Sequence, residues 1–263
     1  MSGRNPDWGG GSRFYLPNED AAVVCAALAS LHPWPRNPVF VGGSGMTLLE
    51  AAGTLPHMES AAFVDVADFQ FEYFRLLLRA VTECASPEIL RDWFGRAVYP
   101  ELRRHHLARG RDYALEQVFA ALSDLFGIRF FSNAAALERV RDNIDRVTAV
   151  RADIGSYLAR QQSRHDFIYL SNVPDYLGEV ALQTLFTACQ AHRAPVYLLL
   201  TAACSDPDTV RRAWEAPGYS PHAASPQLDA QNRGLGSPSL ARAWNRPGTI
   251  YLLVPTNPRG TTV

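Results

Sequence analysis

The stretch that most constrains this chain runs from residue 39 to residue 65. A short apolar run, Val39–Val41, breaks into Gly42-Gly43-Ser44-Gly45 and passes directly into a helical pattern over Met46–Ala52. A second apolar strand, Ser60–Val66, then leads to a helix over Phe69–Glu83, with Phe74, Leu77, Leu78 and Val81 on one face. Such a β-α-β-α start calls for parallel strands joined by right-handed crossovers. The segment before it is punctuated by proline. The apolar helix Ala21–Leu31, opened by Asn18-Glu19-Asp20, stops at His32-Pro33-Trp34-Pro35, because proline cannot continue the ladder. Residues 1–17 form a Gly-rich arm tipped by Trp8, Phe14 and Tyr15.

The alternation lapses over 86–143. Leu115, Val118, Phe119, Leu122, Leu125 and Phe126 lie on one helical stripe, and Ile89–Phe94, Tyr99–Leu107 and Ala134–Arg141 also have helical patterns. An all-helical insertion over the sheet is expected there. Strand-like runs resume at Val147–Ala152, Phe167–Leu170 and Pro195–Ala203, with a helix at Glu179–His192, and Thr249–Val254 closes the sheet. The Pro-, Ser-, Gly- and Arg-rich stretch 205–248 is long for a plain connection and is expected as a loop or lid. The expectation is one α/β domain over 1–263: a parallel-rich, Rossmann-like sheet with a helical cap insertion.

Composition removes several chemistries. All 25 residues of the Lys-plus-Arg total are Arg, so a Lys Schiff base, a Walker Lys and a Ser–Lys dyad are excluded. Cys25, Cys84, Cys189 and Cys204 show no C-x-x-C and no close Cys/His pairing, which predicts reduced core thiols and no metal. A net charge of -1 gives no field for nucleic acid or anionic lipid, and the Arg103-Arg104-His105-His106 cluster with Arg109 and Arg111 reads as a solvated helix face. No apolar run reaches the roughly 18 residues of a membrane span, and MSGRNPDWGGGS lacks a signal-peptide core; a cytoplasmic protein is expected.

The glycine turn carries the functional reading. Gly42, Gly43, Ser44 and Gly45 let the backbone turn tightly and approach a ligand at a helix start. Asp65, 20 residues after Gly45 at the end of the second strand, is placed to grip the two hydroxyls of a ribose. An adenosine-containing ligand is expected. Leu48 stands where a dinucleotide fingerprint needs its third glycine, so a nucleoside without pyrophosphate, such as S-adenosylmethionine, fits better. Ser44 also suggests a nucleophile elbow, but Met46 occupies the closing glycine position and no well-placed late His follows. Asp153, just after the third strand and before Ile154, either accepts from an adenine amino group or caps the next helix, and the two are compatible. At the end of the fourth strand Ser171, Asn172 and Asp175 are site candidates; Asp175 has helix capping as its alternative.

Three places together resemble the S-adenosylmethionine-dependent 3-amino-3-carboxypropyltransferases of betaine-lipid and nocardicin biosynthesis, which have a class I methyltransferase-like fold. They are the Gly42–Gly45 turn, the Asp65-to-Gln70 spacing ahead of a Leu-rich helix, and Leu170-Ser171-Asn172-Val173-Pro174-Asp175-Tyr176-Leu177. Asp92-Trp93-Phe94-Gly95 falls where the family has a helical insertion, whereas Ala67 stands where it usually has Asn. The resemblance implies a transferase that uses S-adenosylmethionine as co-substrate and a small-molecule acceptor, releasing methylthioadenosine. It implies Gln70 among the cofactor-binding residues, and Asp175 or Tyr176 as the base or the acceptor-orienting pair. Tyr15 or a loop Arg is assigned to the methionine carboxylate. Two enzymatic alternatives stand beside it: intramolecular cyclisation to azetidine-2-carboxylate or a lactone, and small-molecule methyl transfer. A nucleoside-binding module is the alternative without catalysis.

Overall fold

A computed structural model describes residues 15–17, 19–108, 110–201, 204, 206–234 and 248–256. Its frame is a seven-stranded sheet made of β1 (Pro38–Val41), β2 (Ala61–Asp65), β3 (Val147–Arg151), β4 (Phe167–Ser171), β5 (Val196–Thr201), β6 (Tyr219–Pro221) and β7 (Gly248–Pro255). The order is β3-β2-β1-β4-β5-β7-β6. β3, β2, β1, β4 and β5 run parallel, and β7 is antiparallel to both β5 and β6. Strands covered on both faces must be apolar throughout, and β4 and β5 are buried along their whole length. β3, at the edge, alternates between half-buried and exposed positions.

Helices cover both faces. On one lie α1 (Ala21–Ala29), α2 (Met46–Ala52), α3 (Asp68–Glu83) and α11 (Ser225–Gly234), packed on Phe40, Phe63, Tyr169, Tyr197 and Leu252. On the other lie α8 (Ile154–Arg160), α9 (Glu179–His192) and α10 (Pro207–Glu215), packed on Val39, Val64, Ile168, Leu198 and Leu253. Between α3 and β3 come α4 (Pro87–Ala97), α5 (Tyr99–Leu107), α6 (Leu115–Asp124) and α7 (Ala134–Ile144). Ser86 and Asn133 cap α4 and α7 through their side chains. The loop after α6 ties these helices to the sheet layer. Arg129 Nε donates to the buried Glu50 of α2 at 2.6 Å, and Ala21 N–H donates to Phe126 O at 2.9 Å.

The expected loop over 205–248 is replaced, through residue 234, by α10, β6 and α11; residues 235–247 lie outside the described set. The helix start is local, with Asp206 accepting from Thr209 N–H at 2.9 Å ahead of Pro207. What holds it is tertiary: Val210, Ala213 and Trp214 face the sheet inside a polar composition. The arm 1–14 and Asn18 also fall outside the described residues.

The glycine turn is a close-packed joint. Gly43 and Gly45 have φ of 63° and 73°, in the left-handed region that penalises a side chain. A Cβ on Gly45 would stand 2.1 Å from the ring of Phe74, which stacks on Phe63 with centroids 4.0 Å apart. A Cβ on Gly43 would meet no atom within 4 Å. Gly43→Ala is therefore expected to cost only the backbone term, about 1–2 kcal/mol. Gly45→Ala adds displacement of a core ring and is expected to cost roughly 1–3 kcal/mol more. Urea unfolding of both variants checks the order; equal losses would contradict this packing.

Candidate functional site

Asp65 is the last residue of β2, and its carboxylate folds back over the glycine turn. Its Oδ2 accepts from Gly43 N–H at 3.2 Å and its Oδ1 from Ala67 N–H at 2.8 Å. The space is cleared by Gly42, where a Cβ would fall 1.6 Å from Asp65 Oδ2. Burial raises the Asp65 pKa, opposed by the hydrogen bonds from Ala67, Gly43 and Val66. Gln70, in the first turn of α3 and buried, donates through Nε2 to Gly43 O, closing the turn from its other side. Gly42, Gly43, Asp65 and Gln70 are thus brought together at the carboxyl ends of β1 and β2, where open α/β sheets take their ligands.

Ser44 is turned inward. It is 3% exposed, and its Oγ accepts from Met46 N–H at 3.3 Å. The histidines a triad would need lie elsewhere. His165 precedes β4 and bonds Asn37 O ahead of β1, and His192 contacts His165 N–H and Leu158 O. These contacts are at the amino ends of the strands.

Asp153 caps α8, accepting from Ser156 N–H at 2.8 Å, while its side chain stays exposed and Ile154 behind it is buried. At the end of β4, Ser171 has a φ of 50° beside a register shift between Tyr169 and Ser171. A 3₁₀ turn, Val173–Tyr176, follows, and Asn172 Nδ2 donates to Tyr176 Oη at 3.1 Å. Asp175 does not cap α9, whose N-cap is Gly178. Its carboxylate instead accepts from the Thr201 N–H at 3.3 Å and from the Thr201 hydroxyl, binding the turn to the end of β5. Tyr15 packs edge-on against Phe69 (5.2 Å) and Tyr73 (5.7 Å) of α3, and its buried hydroxyl has no hydrogen-bond partner among the described residues. Of the loop arginines, Arg211 pairs with Asp208 and Arg212 with Thr209.

In the sequence, Glu19 stands within the helix start Asn18-Glu19-Asp20. It is wholly buried just ahead of Asp20, the N-cap of α1. Ser171 Oγ donates to Glu19 Oε2 at 2.9 Å, across 152 residues of chain. Burial, against the Ser171 hydrogen bond and with a contribution from the Asp20 charge, pushes the Glu19 pKa up to about 8. Its sequence signals are an acid directly before a capping Asp and an apolar helix, and the partial match of Asn18-Glu19-Asp20 to the Trp-Glu-Asp pattern of the resembled transferases.

The strand order, with β7 alone reversed, is that of the Rossmann-like class I methyltransferase-type fold, and this chain has that fold. No described protein family matches the sequence, and no curated protein does. Among solved structures, similar chains include an O-methyltransferase unit described as StiE O-MT, at 10% identity over 89% of this chain and 73% of that one, with a TM-score of 0.47. The methyltransferase domain of bacterial CtHen1-C is 13% identical over 89% and 95%, with a TM-score of 0.46. Spermidine synthase from Thermotoga maritima is 13% identical over 75% and 49%, with a TM-score of 0.39. All three are distant, and the fold assignment rests on the sheet itself. Among the described residues no helix is long and apolar enough to cross a membrane, and no His, Cys, Asp and Glu group is arranged to hold a metal.

The state of Glu19 sets a pH dependence. A carboxyl with a folded pKa near 8 and a reference value of 4.5 stabilises the fold fully below the reference value, and this is lost as pH rises through 8. Asp20, raised by burial to about 6, acts in the same direction at lower pH. The melting temperature should therefore fall between pH 5 and 9, and Glu19→Gln should flatten the part above pH 6. Parallel pH profiles of the two proteins would disprove this state of Glu19.

Proposed function

We propose that the protein binds S-adenosylmethionine across the carboxyl ends of β1, β2 and β4 and transfers its 3-amino-3-carboxypropyl group to a small-molecule acceptor. The observation that carries the binding half is the Asp65 carboxylate, held over a turn kept clear by Gly42. Each of its oxygens takes a backbone N–H and retains lone-pair capacity for a ribose hydroxyl. Gln70 supports the turn from below, and Asp153 with the backbone at Ile154 lies at the β3 end for the adenine edge. The transferred group is argued from the resemblance in Leu170–Leu177 and the Asp65-to-Gln70 spacing.

The sulfonium supplies its own leaving group. An acceptor lone pair forms a bond to Cγ as the Cγ–S bond breaks, and the electron pair goes to sulfur, leaving neutral methylthioadenosine. The acceptor's proton passes to solvent or to a nearby oxygen. The chain's part is placement, which can contribute about 7–11 kcal/mol. Ser171, Asn172 and Tyr176 form the polar rim at the end of β4, where Asn172 holds the Tyr176 hydroxyl toward an acceptor. Asp175 keeps that turn against Thr201, and Tyr15 stands on the α3 side near Gln70.

Product analysis tests the reading. Incubation with S-adenosylmethionine and primary amine or phenol acceptors should leave methylthioadenosine. S-adenosylhomocysteine would assign methyl transfer instead, and methylthioadenosine formed without acceptor would assign cyclisation. Asp65→Asn should weaken nucleoside binding about 10-fold or more, the worth of a hydrogen bond to a charged group. Unchanged affinity by calorimetry would remove Asp65 from the site.

A further inference from the structure

Two buried oxygens behind the β4 tip have no hydrogen-bond partner among the described residues. Glu19 Oε1 is enclosed and unpaired, although Oε2 of the same carboxyl takes the Ser171 hydroxyl. The Tyr197 hydroxyl, from β5, is also enclosed and unpaired. Ser171 is in register with Leu198, so Tyr197 belongs to the strand segment directly beside it. Further acids act on this region: Asp20 and Asp229 on Tyr197, and Glu50 on Asp20. Asp20 adjoins Glu19 and caps α1; Asp229 of α11 accepts from Ile250 N–H; Glu50 of α2 is bound to Arg129. Burial raises the Tyr197 pKa well above its ordinary value, and the charges of Glu19, Asp20 and Asp229 raise it further.

A fully buried carboxyl with an idle oxygen is costly, because it has given up water and received one hydrogen bond in return. Once ionised, the Glu19 carboxyl only accepts, and with the Tyr197 hydroxyl on the neighbouring strand segment it offers a cation two otherwise idle oxygens. A compact group with several N–H donors suits it, and this describes a primary ammonium. We propose that Glu19 Oε1, together with the Tyr197 hydroxyl, forms a subsite for the primary ammonium of an amino-acid-like ligand moiety bound at the end of β4. This rests on the S-adenosylmethionine reading above and extends it to the amino group of the transferred arm. An acceptor amine carries the same chemistry. The proton balance is explicit. Glu19 is neutral when the subsite is empty at pH 7, and it loses its proton to solvent as it becomes the carboxylate partner of the incoming ammonium.

The test is titration calorimetry on the full chain at pH 7, in two buffers of different ionisation enthalpy. The ligands are S-adenosylmethionine, methylthioadenosine (which lacks the arm), and methylamine added to the methylthioadenosine-loaded protein. Expected for the wild type is release of close to one proton with S-adenosylmethionine and none with methylthioadenosine. Glu19→Gln should bind methylthioadenosine as the wild type does and S-adenosylmethionine at least about 10-fold more weakly, with no proton release. Tyr197→Phe, a change that removes only an oxygen, should weaken S-adenosylmethionine several-fold and spare methylthioadenosine. If proton release follows methylamine instead, and vanishes in Glu19→Gln, the ammonium belongs to the acceptor. Methylthioadenosine bound equally by all proteins, with no Glu19-dependent step for either amine, overturns the subsite while leaving the nucleoside site intact. Absence of methylthioadenosine binding to the wild type overturns the nucleoside reading itself, and the subsite with it.

Discussion

The joint between β1 and α2 depends on a carboxylate standing where a side chain would otherwise be. Asp65 fills the space that Gly42 leaves, bonds Gly43 N–H, and holds its own strand end through Ala67 N–H. One acid thereby couples the ends of two neighbouring strands to the starts of the helices that follow them. Gln70 completes the joint by binding Gly43 O from α3. A turn with a left-handed residue at Gly43 would otherwise leave amide groups unmet in a half-buried place. The proposed ligand would meet acceptor oxygens already aimed and a backbone already bent.

The same economy appears at the end of β4. Ser171 leaves the ladder in a left-handed conformation, which turns its hydroxyl to Glu19 and lets Asn172 begin the 3₁₀ turn. Asp175 fastens that turn to Thr201 at the end of β5. Two strand ends and the start of α1 are thus joined by side-chain bonds rather than by strand pairing. Such bonds can hold a geometry the regular ladder does not allow.

Much of this was readable from the chain because it is local. The glycine turn is bounded directly by its own strand and helix, Asp65 ends an apolar run, and Asp153 caps the helix it precedes, so each is marked by its immediate neighbours. The missed features are those set by distance in sequence. Glu19 meets Ser171 across 152 residues, so nothing beside it signals that it is buried. Asp175 meets Thr201 across 26 residues, so its bond to the end of β5, in place of a helix cap, is not marked by its neighbours. α10 was hidden by composition, since Val210, Ala213 and Trp214 are its only buried positions amid polar residues. β6 is three residues long and contains a proline, which periodicity cannot register.

The distribution of acids bears on the kind of chemistry proposed. Around the strand tips, Asp65 accepts from backbone amides, Asp153 from a helix start and Asp175 from Thr201, so each of these carboxylates already has an architectural role. A reaction that needed a strong general base would call for a carboxylate or imidazole set apart from such duties, and His165 and His192 lie at the opposite ends of the strands. A sulfonium displacement has the weaker requirement, since its leaving group departs neutral and its rate responds chiefly to alignment. Under the proposed subsite Glu19 is the exception: an acid with one oxygen idle among the described residues, held toward its neutral form by burial until an ammonium would share that burial.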